Sequence, residues 1–300
     1  MRVIILTRSD KYNIGYEGGY CVAGLDADNP QRWIRLVGQH EHMKITNAEA
    51  VYDDGRLCEP LDLIEVDGNV ITEEMIVQRL EAGADYFQDY DNEGDPEYRL
   101  LYVQPENFLI NGRFRFIRKM NIDEVINMAP VETGDFIFSN DSKCLSIVEA
   151  IRNNKSLTIA KVEDLALRPK RNYYNEEEFQ SHYKASFTYN GVHYEDITVT
   201  DPDYAAELTN FEGLDFGDTY IVMSVGGEFL EHHYKLIAKI FETVYTIENN
   251  MLNYFHAFRD CRYLQRYDNV QRALYQDMID EGLTQCRECA NRRNAADAEE

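Results

Sequence analysis

The sequence predicts a mainly β fold (α+β) made of two tandem OB-like Greek-key barrels, with inserted helices and a C-terminal helical extension. Short strand patterns separated by turn-forming residues recur from residue 1 to residue 241. They fall into two sets of about five, each interrupted by a helix pattern. Strands do not alternate regularly with long helices, as an α/β fold would require. From Val244 onward, apolar residues recur at spacings of three and four, which is typical of a helix.

The first predicted barrel spans residues 1–133. Asn29-Pro30 breaks the chain between two of its strands, and Glu73 and Glu74 lie at the favourable end of a helix expected over Thr72–Ala82. Residues 81–97 contain seven acidic residues and neither lysine nor arginine, so we expect a solvated acidic insertion. The strands are expected at Arg2–Leu6, Tyr20–Leu25, Trp33–Val37, Leu61–Val66, Leu100–Val103 and Asn107–Ile110.

The second predicted barrel spans residues 134–243, and residues 244–300 form the helical extension and a frayed tail. Ser146 and Glu149 have the spacing of a capping box ahead of a short helix. Asn190-Gly191 stands between two alternating runs and predicts a hairpin with a type I′ turn. The strands are expected at Leu157–Val162, Tyr183–Tyr189, Val192–Val199, Tyr220–Val225 and Tyr234–Phe241.

The formal net charge of −24 is the strongest feature of the composition. It repels phosphate backbones on average, so a nucleic-acid contact needs a local basic patch. It also suits an acidic face that binds a basic partner protein, or simply maintains solubility. No apolar run approaches the length of a membrane span, and six scattered cysteines form no disulfide framework. We therefore expect a cytoplasmic protein without membrane contacts.

Several segments taken together resemble the bacterial dual-OB domain family. They include GGYCVAGLDADNPQRWIRLV and LDLIEV in the first half, and FTYNGVHYEDITVTDP and TYIVMSVGGEF in the second. The resemblance covers most of residues 1–241 and implies two OB-like barrels. It also implies a bacterial protein of the kind found near phage-defence genes, with no settled activity and no catalytic residues to carry across. The acidic segment and the region after Val244 depart from it.

The only tryptophan, Trp33, lies in an arginine-rich strand and has two interpretations. Trp33 and Arg35 share one strand face, whereas Ile34 and Leu36 share the other. If Ile34 and Leu36 point into the barrel, Trp33 lies outside and can stack on a base or a partner. If the register is shifted, Trp33 is part of the core, which is the usual place for a lone tryptophan.

Two basic stretches are candidate nucleic-acid contacts. In residues 111–120 the charged side chains alternate with Phe114 and Phe116, which is the pattern of an amphipathic strand with a wet cationic face. Residues 168–174 form the second stretch, expected in a loop between strands. OB barrels bind nucleic acid with such loops and with aromatic platforms. The candidates are Trp33, Arg35, Arg113, Arg115, Arg118, Lys119, Arg168, Lys170, Arg171, Tyr173 and Tyr174.

Cys286 and Cys289 have the spacing of half a zinc site. The sequence holds no second Cys-x-x-Cys pair, and Cys261 and His256 are the nearest additional ligands, at uneven spacing. The pattern favours two thiols near solvent and no cofactor, with zinc as the alternative.

Signatures of enzymes are missing from the sequence: it has no nucleophile elbow, no phosphate-binding loop, no dinucleotide fingerprint and no His-Glu-x-x-His motif. Catalytic residues are therefore not assigned, and enzymatic activity stays open. One hypothesis is a binding module for nucleic acid or nucleotide. The other is an acidic interaction subunit that docks on a catalytic partner protein of a defence complex. A third, a metal-dependent enzyme, requires carboxylates or histidines that converge in a pocket.

Overall fold

The computed structural model describes residues 1–10, 19–39, 43–72, 74–75, 103–175, 178–205, 213–229, 231–247 and 253–296. The acidic insertion 81–97 lies outside them, as does most of the helix expected over Thr72–Ala82. The chain divides into two compact units. Unit 1 consists of Met1–Met120 and Met128–Ile240, and unit 2 of Asn121–Asn127 and Phe241–Glu300. Strands dominate both halves of unit 1, which confirms the mainly β fold.

The first half of unit 1 forms a curled seven-stranded sheet in the order β5-β6-β3-β2-β1-β4-β7. A short helix, α1 (Asn47–Ala50), begins with a capping box made by Thr46 and Glu49. A second helix, α2 (Ile122–Met128), follows the seventh strand, and all but its last residue belong to unit 2. The strands are β1 (Arg2–Asp10), β2 (Tyr20–Asp26), β3 (Asn29–Val37), β4 (Asp62–Glu65), β5 (Gly68–Val70), β6 (Asn107–Ile110) and β7 (Arg115–Lys119).

The curl of this sheet comes from the bend between β4 and β5. β4 pairs with β1, whereas β5, two residues further along, pairs with β6. Within the bend, the Val66 N–H donates to the Met1 carbonyl, and the Asp67 carbonyl accepts the N–H of Asn111. Backbone hydrogen bonds therefore hold the bend to both neighbouring segments. β3 also pairs in parallel with β6. The β4–β5 segment therefore pairs near both edges of the sheet, which curls the sheet into a half-barrel.

The second half of unit 1 is a closed five-stranded barrel. β9 to β13 pair in the order β11-β10-β9-β12-β13, and parallel pairing of β11 with β13 at Val199 and Ile237 completes the ring. The predicted Asn190-Gly191 hairpin is present, with positive φ at both residues. The elements are β8 (Cys144–Leu145), α3 (Ile147–Asn153), β9 (Leu157–Asn175), β10 (Glu178–Tyr189), β11 (Val192–Val199), α4 (Pro202–Ala205), β12 (Leu214–Phe229) and β13 (His232–Phe241).

The helix α3 begins at the predicted capping box. The Ser146 hydroxyl accepts the Glu149 N–H, and the Glu149 carboxylate accepts the Ser146 N–H at 2.8 Å. Both orphan donors at the start of the helix are thereby satisfied.

The basic segment 168–174 lies in β9 and not in a loop, contrary to the prediction. β9 continues past the barrel and pairs with β10, with Pro169 opposite Tyr183. Its pairing with β12 stops at Leu167 and Leu214 among the described residues. Because β12 does not pair with β9 at Pro169, the missing N–H of the proline costs no hydrogen bond on that side. A strand tolerates proline at such an edge position.

The strands β1 and β3 are buried on both faces. Val3, Ile5, Ile34 and Leu36 belong to the core inside the first barrel. Most outward-facing residues in the middle of these strands are buried as well, and Thr7 on β1 donates a hydrogen bond of 2.7 Å to the carbonyl of Ala238 on β13. This part of the outer face of the first sheet is therefore covered by the second barrel, within unit 1.

Unit 2 combines short strands with helices. The helical pattern predicted from Val244 to Gly282 is realised only in part, because much of this region pairs as strands. Aromatic side chains that alternate in short strands match a helical spacing by chance, and pattern alone does not separate the two. The helix α6 includes residues 291–296 of the tail expected to be frayed. The elements are β14 (Thr243–Ile247), β15 (Tyr254–Phe255), β16 (Val270–Leu274), α5 (Tyr275–Asp280), β17 (Thr284–Gln285) and α6 (Arg287–Ala296).

None of the described helices is both long and apolar enough to cross a lipid bilayer.

Trp33 is 8% exposed, so it adopts the packed alternative, although Ile34 and Leu36 do point into the barrel. We expect blue-shifted fluorescence from this single tryptophan and weak quenching by acrylamide, because water and quencher do not reach the indole ring. The matched control is the same protein in denaturant, where emission shifts to the red. Native emission that coincides with the denatured spectrum would contradict the packed position.

Lys235 provides a test of the second barrel. Its side chain is 1% exposed and donates to the carbonyls of Ile137 and Asn140, both at 2.8 Å. Burial lowers the pKa of Lys235 to about 8. A pKa below that of the unfolded chain destabilises the folded state at low pH, and this cost disappears as the pH rises toward the unfolded value.

The free energy of unfolding of the wild type, relative to Lys235→Met, should therefore increase by about 2 kcal/mol between pH 8 and pH 10. Urea unfolding of both proteins across this range measures the difference, in which the titration of other groups cancels. A difference that is constant with pH would show that the ammonium keeps its ordinary pKa.

Candidate functional site

The cationic face of β7 is paired with carboxylates of the same sheet. The predicted alternation is present, because Phe114 is buried while Arg115 is exposed. Arg115 forms ion pairs with Glu65 and Asp67, at 3.2 and 3.0 Å. These contacts hold the pKa of the Asp67 carboxyl below its usual value, chiefly through the hydrogen bond from Arg115. The face expected to attract an anion is thus neutralised locally.

The remaining basic residues of this stretch are also engaged. Arg113 donates to the Val51 carbonyl at 3.1 Å and lies 3.7 Å from Asp53. Lys119 pairs with Glu59 at 3.3 Å, and Arg118 donates to the carbonyl of Lys119. The structure therefore places these four candidates in and next to β7, where each contacts other groups of the chain and they form no free cationic groove.

The second basic stretch is only partly described. Arg168 is exposed and donates to the carbonyl of Leu167 at 3.0 Å. The other four candidates of this stretch occupy β9, where Arg171 lies opposite Ser181 in the register. Their side chains are outside the described part of the chain; these candidates are Lys170, Arg171, Tyr173 and Tyr174.

Arg35 is different, because β3 directs it into the junction between the two sheets of unit 1. Its guanidinium donates to the hydroxyls of Ser156 at 2.9 Å and Ser224 at 3.2 Å. The Ser156 hydroxyl in turn donates to the Glu106 carboxylate at 2.8 Å. Among the described residues Arg35 makes no ion pair, and its buried Nε has no hydrogen-bond partner. This guanidinium is held in place with donor capacity unused.

A cavity of about 250 Å³ lies beside Arg35, between the two sheets. Its lining combines apolar side chains with a few polar groups and the glycine pair Gly226-Gly227. A mostly apolar cavity with few convergent polar groups is the usual form of a small-ligand site. The polar side chains that line it are Thr7, Ser9, Arg35, Gln104, Thr200 and Ser224.

The prediction named Arg35 but none of the other polar residues of this cavity. Thr7 and Ser9 lie in β1, whose sequence is otherwise that of an ordinary strand, and Ser224 lies in an equally ordinary strand segment. The sequence shows only that these hydroxyl residues occupy outward-facing strand positions. They can be assigned to a cavity only when the sheet that covers them is known.

Asp62 and Asp201, the two most deeply buried carboxylates among the described residues of unit 1, have structural partners. Asp62 accepts hydrogen bonds from the Tyr52 hydroxyl at 2.7 Å and the Glu59 N–H at 2.9 Å, and burial raises the pKa of Asp62. Asp201 accepts the Ile240 N–H at 2.8 Å and pairs with Lys239. The two are held in separate barrels, so they do not converge as an acid and base pair would.

Unit 2 contains a cluster of four possible metal ligands. One nitrogen of His256 and the sulfurs of Cys261, Cys286 and Cys289 all lie within 4.8 Å of one another, and all four side chains are buried. The prediction of two thiols near solvent is therefore wrong, since Cys286 is 6% and Cys289 is 0% exposed. Burial raises the pKa of the Cys261 thiol to about 11. The four residues are unevenly spaced in the sequence, but they form a compact cluster in the structure.

A family model described as a dual OB-containing domain matches residues 1–78 and 96–240 of the chain. The unmatched stretch between these segments falls within and just before the acidic insertion, and unit 2 beyond residue 240 is also unmatched. No curated protein and no solved structure matches the chain significantly.

Proposed function

The chain belongs to the dual OB-containing domain family, and from this premise we propose that it is a non-catalytic binding module for a phosphorylated nucleotide. The ligand is held in the cavity beside Arg35, between the two barrels of unit 1. The observation that carries this proposal is the half-buried guanidinium of Arg35, which has unused donor capacity and no paired carboxylate among the described residues.

The charge distribution supports an anionic ligand at this place. Arginine offers five donors in a planar fork that matches phosphate oxygens, and it keeps its charge at every physiological pH. The chain carries a net charge of −24, and cations of β7, such as Arg115, are neutralised by carboxylates. An unpaired cation at the edge of a cavity is then the favourable position for a phosphate group.

The size of the site favours a nucleotide over an extended nucleic-acid strand. The cavity of about 250 Å³ is close to the lower end of small-ligand sites, about 300 Å³. Binding a strand along a barrel requires a continuous cationic groove with several phosphate contacts. The predicted groove residues Arg113, Arg115 and Lys119 are engaged in ion pairs. The apolar part of the lining suits a nucleobase.

A role in a bacterial defence complex rests on the family resemblance alone. In that setting the acidic surface is the feature through which a basic partner protein would bind. The acidic interaction subunit is the competing function, and it requires no ligand beside Arg35. The two functions therefore differ in whether a nucleotide binds beside Arg35, which can be measured.

The test is calorimetric titration with a panel of nucleoside mono-, di- and triphosphates, together with a short single-stranded DNA and RNA. We expect one nucleotide per chain, bound more weakly as salt rises, because a charged contact is screened. Arg35→Gln should weaken binding at least tenfold, as loss of a charged hydrogen bond costs about 1.5–3 kcal/mol.

Arg115→Gln is the matched control, because it removes an exposed arginine on the paired face of β7 and should leave affinity unchanged. Arg35→Lys keeps the charge but not the fork, so binding should be intermediate. Thermal unfolding verifies that each variant is folded. If no nucleotide binds, or if Arg115→Gln matches Arg35→Gln, the proposed site is wrong. Binding of only the DNA or RNA would assign an extended strand instead.

A further inference from the structure

We propose that unit 2 binds one structural zinc ion through His256, Cys261, Cys286 and Cys289. This inference is independent of the proposed nucleotide site, because all four residues lie in unit 2 and beyond the residues matched by the family model. It assigns a ligand to the one group of three or more metal-binding side chains found within the described residues.

The donor set is that of a structural zinc site. Three cysteines and one histidine give zinc four tetrahedral ligands without a coordination position for water or substrate. Zinc–sulfur bonds of about 2.3 Å place two sulfurs about 3.7 Å apart. The four donor atoms lie within 4.8 Å of one another, and Cys289 Sγ is 4.0 Å from His256 Nδ1. Only a small contraction brings them to bonding distance.

The backbone holds the ligands from three directions. The N–H of Cys286 donates to the Phe255 carbonyl at 2.8 Å, and His256 and Tyr245 exchange two hydrogen bonds. Cys261 lies in a tight turn, where its carbonyl accepts the N–H of Leu264 at 2.8 Å. The β14, β15 and β17 backbone thus fixes His256 and Cys286, while a turn holds Cys261 and the helix α6 carries Cys289. This lowers the ordering cost of binding an ion.

Contacts around the cluster join the Cys261 turn to the Cys286–Cys289 helix. Arg292 on α6 forms a forked pair with Asp260, with distances of 2.9 and 3.2 Å, and lies over the Phe258 ring at 4.1 Å. Arg262 pairs with Glu288. These pairs hold the two ligand-bearing segments together on the outside, while the ion would join them on the inside.

Unit 2 needs such a cross-link because its apolar core is small. Among the described residues, the buried core around the ligands contains Ile247, Leu264 and the three cysteines, with a few half-buried side chains packed against it. A second group contains Val244, Phe255 and Met278. Small units of this size commonly depend on a metal or on disulfides for stability. All six cysteines of the chain are free thiols in the structure.

The first measurement is the metal content of the full-length protein by mass spectrometry, with X-ray absorption at the zinc edge. We expect one zinc per chain, with three sulfur ligands at about 2.3 Å and one nitrogen at about 2.0 Å. Cobalt exchanged into the same site should give the visible bands of a tetrahedral ion and thiolate charge transfer. These spectroscopic results do not depend on any variant.

Variants then assign the ligands. Cys289→Ala should lose most of the zinc, whereas His256→Cys should keep it with four sulfur ligands. Cys58→Ala is the matched control, because Cys58 is an equally buried thiol in unit 1 and its loss should leave the zinc content unchanged. Chelation should expose residues 241–296 to protease before it affects residues 1–240.

Three outcomes overturn the proposal. One is less than about a tenth of an ion per chain after purification without chelators. Another is stoichiometric iron with the absorbance of an iron–sulfur cluster in place of zinc. The third is a disulfide between two of the three cysteines, shown by thiol counting under denaturing conditions. Nucleotide binding is unaffected by these outcomes, so this proposal and the nucleotide site can fail separately.

Discussion

The fold of unit 1 depends on the burial of β1 and β3 on both faces. An isolated barrel leaves the outside of its strands to water, and its sequence then alternates between apolar and polar residues. Here Trp33 on the outer face of β3 is only 8% exposed, and Arg35 on the same face is half-buried. The contacts from Thr7 to Ala238 and from Arg35 to Ser224 show that the second barrel covers this part of the sheet. This covering converts an exposed strand face into an interior and makes a cavity possible.

Placing an arginine at such a junction has an electrostatic consequence. The guanidinium of Arg35 can be partly buried because it donates hydrogen bonds to the hydroxyls of Ser156 and Ser224. The Ser156 hydroxyl in turn donates to the Glu106 carboxylate. The carboxylate is thus one hydroxyl away and leaves the cation unneutralised. On β7 the opposite arrangement holds, because Arg115 is matched by Glu65 and Asp67. Arg35 thus differs from Arg115 in having no direct carboxylate partner among the described residues, and this property, not membership of a basic stretch, makes it the candidate for an anion contact.

The local elements could be predicted from sequence because their causes are local. The capping box at Ser146 and the turn at Asn190-Gly191 depend on neighbours within four residues, and both are present. Whether the Trp33 face of β3 is covered could not be decided, because Arg35 on that face contacts Ser156, more than 100 residues away in the chain. The extension of β9 through Pro169 depends on where β12 stops pairing. Pattern carries no information about such distant partners, so the cavity was missed although Arg35 was named.

The cluster in unit 2 also could not be predicted from the sequence, because strand pairing brings together residues that are distant in the chain. Cys286 and Cys289 are recognisable because only two residues separate them in sequence. His256 joins them through the parallel pairing of β15 with β17, and Cys261 through the turn that it forms with Leu264. The same pairing brings few apolar side chains together. A structural zinc ion in small peptides contributes about 10–16 kcal/mol of apparent binding free energy, which becomes folding free energy when the site forms only on folding. That amount is comparable to the whole stability of an ordinary domain, about 5–15 kcal/mol. An ion at this position would therefore account for how so short a segment keeps short strands, two helices and four buried ligands in one arrangement.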